Sequence, residues 1–196
     1  MSVLLIAGSP SEYSRTAAVL EAAGQRLETR GALVTRLRVR DLSPQALLLA
    51  DYGHRSISHA IGEVAEAQVI VVATPVYKAA YSGLLKVFLD VLPQDGFKGK
   101  TVLPLATGGS PHHMLALDYS LRPVLQSLGA KNVLHGVYAT DAQVTPAGDG
   151  QYIVNADIGE RLDEAVDLLV TETLHAGFAH AGRFSPVHFS QVRCSV

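Results

Sequence analysis

VLLIAGSPSEYSRT, residues 3–16, decides the fold, because it joins an uninterrupted apolar run to a short loop rich in hydroxyl side chains. The apolar run, residues 3–7, is typical of a central strand that is buried on both faces. A strand that ends in glycine and hydroxyl residues brings backbone N–H and side-chain O–H groups to the start of the next helix, where the helix dipole stabilises an anion. The loop lacks the spacings of the ATP-binding P-loop and of the dinucleotide fingerprint. We therefore expect either an ordinary N-capped turn or a cradle for a terminal phosphate monoester, formed by Ser9, Ser14, Arg15 and Thr16.

The rest of the chain repeats this strand-to-helix pattern. Five short apolar runs recur roughly every 30 residues, with helix-like segments between them, which predicts an α/β fold with helices on both faces of a parallel sheet. In the second run, residues 33–40, apolar and polar side chains alternate. One side of that strand therefore meets solvent, and its arginines indicate a solvated edge more than a grip on an acidic cofactor. An edge position for strand 2 gives the order 2-1-3-4-5 of a flavodoxin-like, doubly wound, five-stranded sheet.

The remaining elements follow from the same periodicities. Strands 3 to 5 are predicted at residues 69–73, 101–106 and 133–139, and Pro104 indicates an irregularity in the fourth because proline donates no ladder hydrogen bond. Residues 84–92 are apolar nearly all round a helix, so we expect them to lie in an oligomer interface. Residues 1–176 are predicted to form one domain, and residues 177–196 a poorly ordered C-terminal tail.

Composition excludes several classes of protein. The chain has 196 residues, a net charge of −2 and no cluster of lysine or arginine, so we expect no nucleic-acid partner. Its apolar runs are too short for a membrane span. The single cysteine, Cys194, has no partner for a disulfide or a metal site, so we expect a reducing, cytoplasmic setting and no bound metal.

Three loops of such a sheet open on the same edge, namely those after strands 1, 3 and 4. The second loop starts with Pro75, which we expect to end strand 3. The backbone groups of this loop would then be free to bind a planar heterocycle, and its residues are Pro75, Val76, Tyr77 and Lys78. The third contains paired glycines that let the backbone approach a flat ring: Thr107, Gly108, Gly109 and Ser110. Together with the phosphate cradle, these loops predict a flat phosphorylated ligand, and FMN fits that description. The alternative is that each loop is a plain turn.

Three blocks of sequence resemble the NAD(P)H-dependent FMN reductases of flavodoxin-like fold, and most of all the reductase component of two-component alkanesulfonate monooxygenase systems. The blocks are GSP at residues 8–10 with Ser14 and Arg15, ATPVYKAAYSGLL at residues 73–85, and LPLATGGSPHHMLALDYSLRPVL at residues 103–125. The likeness fades in the tail. One departure is Ser11, where many relatives carry arginine, which leaves Arg15 as the cation of the cradle.

The resemblance implies an enzyme that reduces FMN with NADPH or NADH by direct hydride transfer, without a catalytic side chain. It also implies release of reduced FMN to a flavin-dependent monooxygenase partner in sulfur metabolism, a homo-oligomer that is a dimer or a homotetramer, and a contact of His113 with the cofactor. Tyr119 is implied to form a π-type bulge at a tetramer interface. In the sequence itself, Asp118, Tyr119 and Pro123 disturb the helical spacing of the leucines around them, so a π-bulge or a kink is expected.

Two other functions stay open from the residues. The first is a quinone, azo-dye or chromate reductase that retains its FMN and reduces a second substrate. The second is a flavodoxin-like electron carrier, which the charge of −2 disfavours because such carriers have strongly acidic surfaces.

Overall fold

The computed structural model describes residues 1–148 and 150–181. Its strands are β1 Ser2–Ala7, β2 Leu33–Arg38, β3 Val69–Tyr77, β4 Ala80–Tyr81, β5 Thr101–Gly108, β6 Asn132–Val133, β7 Val137–Thr140, β8 Val144–Pro146 and β9 Tyr152–Val154. Its α-helices are α1 Arg15–Thr29, α2 Pro44–Leu48, α3 Arg55–Glu66, α4 Gly83–Asp90, α5 Arg122–Ser127 and α6 Ala156–Ala181. Short 3₁₀ segments lie at Val39–Asp41 and Pro111–Leu115, and a π-helical turn lies at Leu117–Leu121.

The main sheet is parallel in the order β2-β1-β3-β5-β6, with β7 continuing the line of β6 beside β5. This order confirms the predicted flavodoxin-like topology, with strand 2 at the edge. One core layer lies between the sheet and helices α1 and α6, and a second lies between the sheet and helices α3, α4 and α5. Strands β1 and β3 are buried on both faces because each is covered by helices on either side.

The fifth strand is not the continuous run predicted at residues 133–139, and Pro104 explains the difference. Leu134 N donates to Val102 O, so the backbone groups of Val102, and those of Pro104 two residues on, point toward the fifth strand. Proline offers no N–H at that point, and the strand is interrupted there between β6 and β7. The irregularity therefore lies in the neighbouring strand, while β5 itself continues from Thr101 to Gly108.

The prediction that Pro75 ends strand 3 is wrong, since β3 continues to Tyr77 and pairs Pro75 with Thr107. Ala73 O accepts a hydrogen bond from Gly8 N, so Ala73 and Pro75 both point toward β1. Strand β1 has already ended at Ala7. The missing N–H of Pro75 therefore faces no neighbouring strand and costs no hydrogen bond.

The edge strand carries ion pairs to the helix that covers it. Arg36 donates to Glu21 at 2.8 and 2.9 Å and to Glu28 at 3.0 Å, both on α1. This pairing accords with the interpretation of the arginines as part of a solvated edge, although β2 ends at Arg38 and not at residue 40. The hydrogen bonds from Arg36 lower the pKa of Glu21.

Helix α4 is largely covered within one chain. Leu85, Phe88 and Leu89 are buried, and Leu84 and Val87 pack half-buried against the same core. At the other end of the chain, α6 continues to Ala181, past the domain boundary predicted at residue 176, and the rest of the predicted tail, including Cys194, lies outside the described residues. Each helix in the described ranges lacks the length or the apolar character that spanning a bilayer requires.

Candidate functional site

A cavity of about 280 Å³ opens at the carboxyl edge of the sheet, where the three predicted loops meet. Ten of the thirteen predicted ligand-binding residues line it: Ser9, Ser14, Arg15, Thr16, Pro75, Val76, Tyr77, Thr107, Gly108 and Gly109. It is also lined by four residues outside that set: Ser11, Tyr13, Asp141 and Tyr152. The prediction that the loops after strands 1, 3 and 4 form one site is therefore consistent with the geometry.

The first loop delivers a helix N-terminus to the cavity. Ser14 is the N-cap of α1, and its hydroxyl accepts from Ala17 N at 3.1 Å. The N–H groups of Arg15 and Thr16 belong to the first turn, where a helix supplies no carbonyl partner. These N–H groups, with the positive end of the helix dipole, make this end of the cavity suited to an anion.

Buried hydroxyls join the three loops to one another. The hydroxyls of Thr16 and Thr107 lie 2.6 Å apart and connect the first loop to the third. Ser82 Oγ donates to Gly8 O at 2.5 Å and accepts from Leu85 N at 3.1 Å, so it caps α4 and connects the second loop to the first. Because these side chains are all buried, the loops are held in place by the protein's own hydrogen bonds.

The two glycines of the third loop have different reasons to be glycine. A Cβ at Gly108 would lie 2.6 Å from Tyr138 Oη, so packing against that phenol already excludes a side chain. A Cβ at Gly109 would meet only Asp141 Oδ2, at an ordinary 3.7 Å. Among the described residues, nothing therefore requires glycine at position 109, and the absence of a Cβ leaves the backbone there open to close approach.

The second loop is a two-residue hairpin between β3 and β4, with Tyr77 paired to Ala80. Its tip residues, Lys78 and Ala79, have φ values of +49° and +65°, as the tightest hairpin turns require. Residues with a Cβ are uncommon there, and such strain concentrates at functional sites. Lys78 is exposed at this tip and does not line the cavity.

Two further predicted residues, Ser110 and His113, do not line the cavity. Ser110 is the N-cap of the 3₁₀ segment Pro111–Leu115, and its carbonyl accepts from Tyr138 Oη at 2.6 Å. His113 lies inside that segment and donates its backbone N–H to Ser110 O at 3.1 Å. Burial, and then the Asp141 carboxylate, raise the pKa of the Tyr138 phenol, so it keeps the proton that it donates.

The residues that the sequence analysis missed surround Arg15. Its Nε donates to Val144 O at 3.0 Å and lies 3.5 Å from Asp141 Oδ1, and its guanidinium lies 5.2 Å from the centre of the Tyr152 ring. Asp141 follows strand β7, so it lies at the same carboxyl edge of the sheet as the three predicted loops. Tyr152 belongs to the β8–β9 hairpin, which is separate from the main sheet. In the sequence, the stretch before Tyr152, residues 145–151, is rich in turn-forming residues and indicates this hairpin.

Tyr119 lies in the π-helical turn Leu117–Leu121, as predicted. Leu117 and Leu121 point into the core, whereas Tyr119 is 80% exposed. The extra residue of a π-turn shifts the side chains after it around the helix axis. Asp118 accepts from Arg122 Nε at 2.9 Å across this turn.

The strand order and the cavity together define a flavodoxin-like α/β protein with a cavity at the end of the sheet where this fold binds FMN. Residues 1–145 match the family described as NADPH-dependent FMN reductase. The chain belongs to that family, and it is an oxidoreductase whose substrates or cofactors are FMN and a reduced nicotinamide nucleotide.

Individual relatives are similar over most of the chain. The FMN reductase (NADPH) of Pseudomonas putida KT2440 is 43% identical over 185 residues, which are 93% of this chain and 91% of the relative. The FMN reductase (NADPH) of Escherichia coli K12 is 45% identical over 144 residues, 74% of this chain and 75% of the relative. The solved apo structure of the NADH:FMN oxidoreductase EMOB superposes with a TM-score of 0.77 at 38% identity, covering 98% of this chain and 96% of that one.

Proposed function

We propose that this chain reduces FMN as a dissociable substrate and passes the reduced flavin to a partner flavin-dependent monooxygenase of sulfur metabolism in the cytoplasm. The observation that carries the first part is the charge at the cradle. Among the described residues that line the cavity, Arg15 is the one cation, and it already lies against a carboxylate. A second cation, or a guanidinium without a carboxylate beside it, would add charge-assisted attraction for a phosphate of nearly two negative charges, and the lack of that attraction favours release over retention.

In this proposal the first loop binds the phosphate, and the second and third loops bind the ring. The N–H groups of Arg15 and Thr16 and the hydroxyls of Ser9 and Ser14 would meet the phosphate oxygens. Pro75 to Lys78 and Thr107 to Ser110 would hold the isoalloxazine, with His113 behind the third loop. FMN supplies the hydride-accepting ring, and the protein binds it, orients it and excludes water. No side chain of this chain is assigned to proton transfer.

The colour of the purified protein and its kinetics test whether FMN is a substrate. We expect a colourless protein that oxidises NADPH or NADH only when FMN is added. After anaerobic turnover, the reduced FMN should pass through an ultrafiltration membrane with the other small molecules. A stoichiometrically yellow protein whose flavin stays above the membrane would support the retained-FMN reductase instead. The ratio of kcat/KM for NADPH to that for NADH gives the nucleotide preference.

Arg15→Ala tests the phosphate cradle. Loss of one charge-assisted hydrogen bond should weaken FMN binding by about 1.5–3 kcal/mol, or roughly 10- to 150-fold in Kd. Arg38→Ala is the matched control, because Arg38 is an exposed arginine that pairs with Asp41 beyond strand β2. An Arg15→Ala protein with the Kd of the unmodified chain would remove Arg15 from the proposed site.

A homo-oligomer, either a dimer or a tetramer, belongs to the same proposal. Met114, Leu115 and Tyr119 are each at least half exposed and lie within the six residues 114–119. The π-turn that carries Tyr119 also lies against β4 of the second loop, so this apolar surface borders the site. Sedimentation velocity should give a molecular mass above that of one chain, and Tyr119→Ala should shift it toward the monomer. Tyr52→Ala, which removes another exposed tyrosine, is the control. A monomeric unmodified chain at micromolar concentration would contradict this part of the proposal.

A further inference from the structure

We propose that the Asp141 carboxylate competes with the flavin phosphate for Arg15, and that this competition keeps the affinity for FMN low enough for the flavin to leave. The inference rests on the proposed function, since it takes the cradle at the start of α1 to be the phosphate site. It goes beyond that function by assigning a residue that sets affinity and selectivity at the phosphate end.

The geometry places Asp141 in the same cavity as the cradle. It follows strand β7 directly, and its Oδ1 lies 3.5 Å from Arg15 Nε. The Nε–H of Arg15 is donated to Val144 O instead, at 3.0 Å. The carboxylate is therefore close enough to neutralise the guanidinium and yet makes no hydrogen bond to it among the described contacts.

Other ion pairs of this chain show how loose that contact is. Arg30 Nε lies 2.6 Å from Asp167, and Arg36 Nη2 lies 2.8 Å from Glu21, each with a hydrogen bond. Asp141 resembles those two carboxylates in its exposure and in having one charged partner within the described part of the chain, but it lacks their hydrogen bond, because Arg15 Nε donates to Val144 O. A carboxylate held by charge alone, without a hydrogen bond, is the kind of partner that a phosphate can displace.

The charges of Asp141 and Arg15 determine how strongly the cavity attracts a phosphate. A phosphate that enters beside Arg15 either replaces Asp141 as the partner of the guanidinium or binds with a carboxylate close by. In both cases FMN loses part of the attraction that a free arginine would give. Riboflavin has the same ring and ribityl chain but no phosphate, so this competition acts on FMN and leaves riboflavin unaffected.

Removal of the carboxylate should therefore tighten FMN binding selectively. For Asp141→Asn, which keeps the shape of the side chain, we expect the Kd for FMN to fall about two- to fivefold and that for riboflavin to change less than about 1.5-fold. Binding of FMN to Asp141→Asn should also depend more steeply on salt, because the cation at the site is no longer neutralised.

Titration calorimetry with FMN and with riboflavin on the full chain is the experiment. Asp167→Asn is the control, since it removes the same charge from an exposed ion pair near the other end of α1. Arg15→Ala and the Arg15→Ala/Asp141→Asn double variant complete a double-mutant cycle. The gain in FMN affinity that Asp141→Asn gives should disappear when Arg15 is also replaced. Thermal unfolding of each variant checks that it folds.

Three outcomes overturn the inference while leaving the proposed function intact: an unchanged Kd for FMN in Asp141→Asn, an equal tightening for riboflavin, or a gain that persists in full without Arg15. The last would mean direct repulsion of the phosphate and not competition for the cation. Absence of measurable FMN binding by the unmodified chain would overturn the proposed function, and this inference with it.

Discussion

The hydrogen bond between Thr16 and Thr107 joins the first loop to the third, and it offers a sharp test of how the site is held together. The two side chains are 2% and 4% exposed, and their hydroxyls lie 2.6 Å apart. Thr16→Val keeps the shape of the side chain and leaves the Thr107 hydroxyl buried without its partner. The cost of one buried unpaired hydroxyl is about 1–3 kcal/mol. Thr107→Val should cost a similar amount for the same reason.

The double variant Thr16→Val/Thr107→Val should be much less destabilised than the sum of the two single variants, because it leaves no orphaned hydroxyl. Urea denaturation gives the free energies of unfolding. Thermal unfolding should show a fall of about 2–4 °C for each kcal/mol lost in a chain of this size. Thr171→Val is the control, because that threonine is exposed on α6 and should change stability by less than about 0.5 kcal/mol.

Strictly additive losses would refute the reasoning, since they would show that neither hydroxyl depends on the other. A single variant that loses less than about 0.5 kcal/mol would also refute it, because water from the adjoining cavity would then satisfy the remaining hydroxyl. FMN binding provides an independent readout. The double variant should bind FMN more weakly than the unmodified chain even where its stability is nearly restored, because both threonines line the cavity and their hydrogen bond joins two of its loops.

Three further predictions concern the same loops. Ser82→Ala should lower stability by about 1–2 kcal/mol in urea denaturation, because it removes the cap of α4 and the bond to Gly8 O. Gly108→Ala should lose about 1–3 kcal/mol by overpacking, and adding Tyr138→Phe should recover part of that loss, since the added Cβ would lie 2.6 Å from Tyr138 Oη. Burial, and then the Asp141 carboxylate, raise the pKa of Tyr138, so the folded chain holds that proton more tightly than the unfolded chain. The contribution of Tyr138 to the free energy of unfolding should therefore be constant below the ordinary tyrosine pKa near 10 and fall above it, and Tyr138→Phe should reduce the loss of stability in urea titrations across this range.

Much of the fold could be predicted because burial in a doubly wound sheet leaves a direct mark on sequence. Strands β1 and β3 are covered on both faces, and residues 3–7 and 69–73 within them are unbroken apolar runs, while β2 lies at the edge of the sheet and four of its six residues are exposed. The two prolines were harder to interpret. A missing N–H matters only on the side where a neighbouring strand lies, and residue type alone does not say which side Pro75 or Pro104 faces.

The candidate site was predictable where its residues follow strands, and not where they arrive from elsewhere in the chain. Ser14 and Gly109 lie at the carboxyl ends of parallel strands, so the topology places them together once the strand order is known. Tyr152 reaches the cavity from a hairpin outside the main sheet, and no local pattern shows where that hairpin packs. Gly108 was predicted for the approach of a ligand, but it is already required by Tyr138, a contact between residues 30 positions apart in sequence.

In the proposed site, the hydrogen bonds between the loops and the Asp141 carboxylate act on different parts of the affinity for flavin. Hydrogen bonds that hold the loops in place lower the entropic cost of ordering the site when the isoalloxazine ring binds. Because the loops are already ordered, they would also favour the orientation of the ring that hydride transfer requires. Asp141, in the proposal above, reduces the attraction for the phosphate. Reduction of the ring leaves the phosphate charge unchanged, so this penalty should apply nearly equally to oxidised and reduced FMN. A ligand effect that is equal in two states does not shift the equilibrium between them. Lowering the affinity at the phosphate end would therefore let reduced flavin leave without altering the reduction potential of the bound flavin. Loss of contacts at the ring could weaken oxidised and reduced flavin unequally, and would then change that potential.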